Sequence, residues 1–161
     1  MADLLMKMPI PYEPKRKNRF ILKFDNLGIN EWFVESTSRP NIKIAETEIP
    51  FLNTSRYVAG RYNWESIDVT FRDPIGPSAA QALMEWVRLH AESVTGRMGY
   101  AAGYKRDLEL DMLDPTGVVI EKWLLIGTFL TNVDFGSLSY DDDKLADIKA
   151  TLRPDYCVLV Y

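Results

Sequence analysis

Ser78 to Val94, SAAQALMEWVRLHAESV, is the one stretch of this chain with a helical period. Ala79, Leu83, Trp86, Val87, His90 and Val94 recur at three- and four-residue steps and form a single apolar stripe. Ser78 and Gln81 have the spacing of a capping box, Pro77 stands just ahead of them, and Gly96 supplies a stop. On either side the sequence alternates with the period of β-strands. A lone amphipathic helix can bury its stripe only against another layer. The expected fold is therefore mainly β with one α-helix: an antiparallel β-sandwich or barrel packed against a single helix at about residues 78–94.

The strand signals follow in order. RFILKFD, Arg19 to Asp25, alternates, and Asn26-Leu27-Gly28 reads as a turn into a returning strand, Glu31 to Thr37. Ile42 to Glu48 alternates again, with Ile42, Ile44 and Ile49 expected to point inward. Trp64 to Arg72 sets Ile67, Val69 and Phe71 on one face and Ser66, Asp68, Thr70 and Arg72 on the other. One dry face and one polar face mark an antiparallel sheet. Asp107 to Asp114 and Val118 to Leu125 form a further hairpin around Pro115-Thr116-Gly117, with Asp107, Glu109 and Asp111 expected on its wet face. Thr95 to Arg106, with three glycines, reads as a loop.

Two segments stand apart. Residues 1–18 hold three prolines and the cluster Lys15-Arg16-Lys17, which predicts an extended N-terminal arm, either solvated or ordered on a neighbouring subunit. Residues 19–161 then form one domain. Pro50 to Asn63 lies between strand patterns and carries Phe51, Leu52, Tyr57, Val58 and Tyr62 with Arg56 and Arg61. It reads either as a projecting loop that packs on another protein or as an extra hairpin packed on its own domain. Tyr and Arg are side chains that interfaces favour.

At 161 residues the chain can bury a single core. A net charge of −4 is not that of a nucleic-acid grip, yet residues 1–19 carry +3 and leave −7 for the rest. One cysteine, Cys157, excludes an internal disulfide and a cysteine-based zinc cluster, and with no long apolar leader the expected compartment of synthesis is the cytoplasm. No apolar run approaches the ~20 residues needed to span a bilayer. His90, the one histidine, sits in the helical stripe as a packed or boundary residue. Asp141-Asp142-Asp143 lacks the spacing of an EF-hand loop and reads as a solvated turn. The glycines of 96–103 match no phosphate-binding motif. No catalytic residue, cofactor or metal is expected, and the chain is read as non-enzymatic.

The last third, GTFLTNVDFGSLSYDDDKLADIKATLRPDY from Gly127 to Tyr156, resembles the tail tube proteins of contractile-tailed, T-even-like bacteriophages. Gly127, Asn132, Val133, Leu138, Tyr140, Asp141, Thr151, Leu152, Asp155 and Tyr156 carry the likeness. Val58-Ala59-Gly60, Trp64 and a helix with an internal tryptophan, Trp86, extend it over about residues 19–156. The resemblance implies a structural virion protein of the tail, made in the host cytoplasm, whose hexameric rings stack into a tube. It implies sheath, baseplate or tube-initiator and tape-measure proteins as partners, and a lumen through which DNA passes without specific binding.

Under this resemblance the self-assembly candidates are Lys15, Arg16, Lys17, Phe51, Leu52, Arg56, Tyr57, Val58, Arg61 and Tyr62. The lumen candidates are Asp68, Thr70, Arg72, Asp147, Lys149 and Thr151, with Ser66 and Arg153 on the same ranks. A tube-initiator or baseplate ring, or the inner tube of a related contractile injection or type VI secretion system, has similar architecture. Two other classes compete: a monomeric β-sandwich reading carbohydrate through Trp32, Tyr57, Tyr62 or Trp123, and a hydrolase using Asp107, Glu109 or Asp111.

Overall fold

The computed structural model describes residues 2–9, 11–24 and 27–161. Asp25, of the first expected strand, and Asn26, of the expected turn after it, lie outside the described residues. A short helical turn, α1 (Ala2–Leu5), opens the chain. The strands are β1 (Phe20–Phe24), β2 (Val34–Ser36), β3 (Ile42–Phe51), β4 (Thr54–Trp64) and β5 (Ile67–Arg72). Then come the helices α2 (Ala79–His90) and α3 (Ala101–Tyr104), and the strands β6 (Arg106–Leu113), β7 (Val119–Asp134), β8 (Asp147–Arg153) and β9 (Tyr156–Leu159).

All seven strands of the main sheet pair antiparallel, in the order β1-β6-β7-β8-β5-β2, with β9 also on β7. The organising element is β7, 16 residues long. Its first half pairs β6 and β9, and its second half pairs β8. It bends at Gly127, whose φ is +65° and whose amide donates to Asp107 Oδ1 at 3.1 Å. A Cβ there would run into the Asp155 carboxylate, which Lys105 Nζ holds at 2.9 Å. Only glycine meets both demands of this corner. The bend curls the sheet into a half-barrel around its apolar face.

The helix closes that face. Ala79, Leu83 and Trp86 are buried among Phe71, Leu108, Leu110, Leu125, Ile148 and Leu152. The Trp86 indole N–H donates to the Tyr104 carbonyl at 2.8 Å, and its ring meets Phe24 edge-on at 6.4 Å. Ser78 caps the helix by accepting from the Gln81 amide at 3.4 Å. The fold class is as the sequence predicts, mainly β with one principal helix, but several boundaries differ. The helix stops at His90, because Ala91 turns extended and bridges Met98; Val94 is solvent-exposed rather than in the stripe.

The strand β2 does not return against β1. It pairs β5, while β1 pairs β6 at the other end of the sheet, with the 3-10 turn Glu31–Phe33 feeding β2. Local alternation identified both strands, but partners are chosen by which edge shares the core. The expected loop in 95–106 contains the short α3.

Candidate assembly surfaces

The stretch 50–63 is neither a loop nor a hairpin packed on its own domain. It is the end of β3, the tip Leu52-Asn53 and most of β4, the outer part of a separate two-stranded sheet. All ten residues of β3 are exposed, so Ile42, Ile44 and Ile49 point outward rather than inward. At the root Trp64 packs edge-on against Trp123, 6.3 Å between centroids. At the tip Phe51 is 70% and Leu52 88% exposed, and Leu52 has φ +52°, a region a branched apolar side chain rarely adopts. A strained, exposed leucine is the kind of outlier from which a role in contact is inferred.

The self-assembly candidates fall into two groups. Phe51, Leu52, Arg56, Tyr57, Val58, Arg61 and Tyr62 share this hairpin. Lys15, Arg16 and Lys17 lie instead on the wall of a groove of about 330 Å³ whose other linings include Phe20, Arg39, Leu110 and Met112. The arm is tied there: Lys15 Nζ lies 2.8 Å from Glu121 Oε1, and Arg39 reaches Oε2 at 3.3 Å. Burial pushes the Glu121 carboxyl up, but donation from Lys15 and Arg39 outweighs it and holds the group below the usual range.

The lumen candidates come together on one sheet face. Register pairs Asp68 with Thr151, Thr70 with Lys149, and Arg72 with Asp147. The Thr151 hydroxyl donates to Asp68 Oδ1 at 3.0 Å. Arg72 turns toward the sheet end, donating to the carbonyls of Trp32 (3.0 Å) and Val34 (3.5 Å). The sequence reading missed Asp134, opposite Lys149, because it ended the seventh strand at Leu125.

The acids of 106–113 are not a free wet rank. Asp111 is fully buried, and Lys23 Nζ lies 2.8 Å from its Oδ2. Lys23 and Lys122 each lie 3.2 Å from Glu109 Oε1. The bond to Asp111, with help from Glu109, raises the Lys23 pKa. For Glu109 burial acts upward, but Lys122 and Lys23 bring it below the ordinary value. Asp107 accepts from the Gly127 amide. Each acid thus has a structural partner, which leaves the hydrolase reading without a poised group. Cys157 is buried in β9, its thiol pushed up to about 11 by desolvation. The ring candidates are also scattered: Trp32 borders the groove between β1 and β2, Trp123 lies on Trp64, and Tyr57 and Tyr62 are out on the hairpin.

The ends of the main sheet, β1 and β2, share the walls of that open groove, about 750 Å³, and each pairs on one side only among the described residues. Among the described residues the strand β9 likewise has β7 alone as partner. Exposed edges invite pairing with another chain. Fold and surfaces thus define a half-barrel with unpaired sheet edges and a projecting ribbon.

Among solved structures that arrangement recurs in contractile machines. The tube-terminating cap of the anti-feeding prophage superposes with a TM-score of 0.75 at 19% identity, covering 99% of this chain and 98% of that one. The sheath/tube terminator of the extracellular contractile injection system PVC, in its extended state, gives 0.74 at 17% identity, covering 95% of this chain and 100% of the other. The PVC sheath–tube complex gives 0.72 at 17%, covering 93% of each. No family model matches the chain, and no curated protein matches it in sequence. The chain has the fold of the tube and tube-terminator proteins of contractile tails and injection systems. No helix among the described residues is long and apolar enough to cross a membrane.

Proposed function

We propose that this chain is a structural, non-enzymatic subunit of a contractile tail or injection-system tube, assembling with itself into hexameric rings that stack. The observation that carries the reading is a fold shared end to end with a tube-terminating cap, 99% of this chain against 98% of that one. The unpaired edges of β1, β2 and β9 support it, since joining strands across subunits removes them. Such contacts are heterologous and close into rings. Sheath, baseplate or initiator, and tape-measure proteins are the partners, and the virion or particle tail is the location. The polar face built on β5, β8 and the end of β7 lines the lumen in this reading. Its Asp68, Asp134 and Asp147 are matched by Arg72, Lys149 and Arg153, so it offers no cationic track to retain a passing DNA phosphate backbone.

A capping ring is the second reading, favoured because two of the superposed proteins terminate tubes. Negative-stain electron microscopy with solution mass tests both. Hollow tubes with sixfold end views support the main-tube reading, and isolated hexameric rings support the cap. A strict monomer at every concentration, alone or with preformed tube, would sink both.

A further inference from the structure

The hairpin has two chemically different faces. One extra residue at Gly60-Arg61 opposes Ala45, and cross-strand pairs then set Ile44 beside Tyr62, Glu46 beside Ala59 and Glu48 beside Tyr57. This face carries carboxylates and tyrosines and no base. The opposite face pairs Lys43 with Asn63, Thr47 with Val58 and Ile49 with Arg56, and carries bases and no carboxylate. A two-stranded ribbon exposed on both sides is at best marginally stable in water, so a partner is expected to cover it.

The groove beside the arm complements the acidic face. Phe20, Leu110 and Met112 give it apolar walls, and Arg16, Lys17 and Arg39 give it positive charge. Arg39 and Lys15 hold Glu121, whereas Arg16 and Lys17 have no ion-pair partner among the described residues. The groove of the same chain is out of reach. Six residues of extended strand carry Glu48 about 20 Å beyond the root at Ile42, and the root is fixed by Trp64 on Trp123.

We propose that the acidic, tyrosine-bearing face of one copy's hairpin docks in the basic groove of a second copy, with Glu46 and Glu48 meeting Arg16 and Lys17. This deepens the tube reading and rests on it. Such a contact is heterologous, so each copy gives a hairpin and receives one.

The test uses two charge reversals on the full chain, Glu46→Lys with Glu48→Lys, and Arg16→Glu with Lys17→Glu. All four positions are exposed, and thermal unfolding checks that both variants fold like wild type. Self-association is read by analytical ultracentrifugation over a salt series. Each variant alone is expected to associate at least about tenfold more weakly than wild type. An equimolar mixture is expected to recover, because each variant's hairpin then matches the other's groove. Variants that associate as wild type does would overturn the docking and leave the tube reading standing. Loss in each without recovery in the mixture would also overturn it, since both surfaces would then serve self-association without meeting each other. A wild type that never associates would overturn the tube reading and the docking together.

Discussion

At the residue scale the corner at Gly127 and the pair at Asp111 are the sharpest tests of how the sheet is held. Gly127→Ala must place a Cβ against the Asp155 carboxylate while keeping φ near +65°. The expected cost is about 1–3 kcal/mol, seen as a Tm fall of about 2–4 °C for each kcal/mol. Gly103→Ala is the control, since it lies in α3 with nothing within 4 Å of an added Cβ, and is expected to be neutral or slightly stabilising. Lys23→Met would leave Asp111 buried beside Glu109 without its ion pair. A loss of about 1–3 kcal/mol in urea unfolding is expected, and replacing Asp111 by leucine in the same chain should restore most of it. The depressed carboxyls fix an acid limit. Glu109 and Glu121 titrate below the ordinary value of 4.5, so they contribute stability fully above that value. That stability is lost as pH falls through their folded values. A Tm that stays flat from pH 6 to pH 3 would refute this.

At the scale of elements, the helix and the half-buried strands were legible because burial imprints a period. Ile67, Val69 and Phe71 alternate with polar neighbours, and Ala79, Leu83 and Trp86 follow the helical repeat. The hairpin was only half legible. Ile42 to Glu48 alternates and read as a strand, but its own domain covers neither face, so the alternation pointed to no core, and in β4 the extra residue at Gly60-Arg61 shifts the phase partway along. The polar face was legible as two ranks, but their direct pairing needed the register. What the ribbon does for its own subunit is small. Replacing residues 46–58 by a short glycine-rich turn is therefore expected to leave the Tm of the domain within about 2 °C while abolishing rings and tubes in micrographs. A variant that loses its fold would show that the ribbon is part of the core after all.

At the scale of the whole molecule, the fold leaves work undone that a ring would complete. The sheet curls around the core yet stops at β1 and β2, whose free sides line an open groove, and β9 adds a third edge. Backbone amides on such edges exchange with solvent in a lone subunit, because only one side of each strand is paired. The inner strands β5 and β8 have neighbours on both sides and bury Val69, Phe71, Ile148 and Leu152. Assembly should therefore act on the two sets differently. Hydrogen exchange compared between dissociated and assembled protein is expected to slow by at least about tenfold at unpaired amides of β1, β2 or β9, and along the β3–β4 ribbon. The amides of β5 and β8 should change little, since the core is already complete in one copy. Uniform slowing across all strands would mean that the subunit folds only on assembly, and no slowing at any edge would mean that rings form through side chains alone and that the half-barrel is not closed by its neighbours.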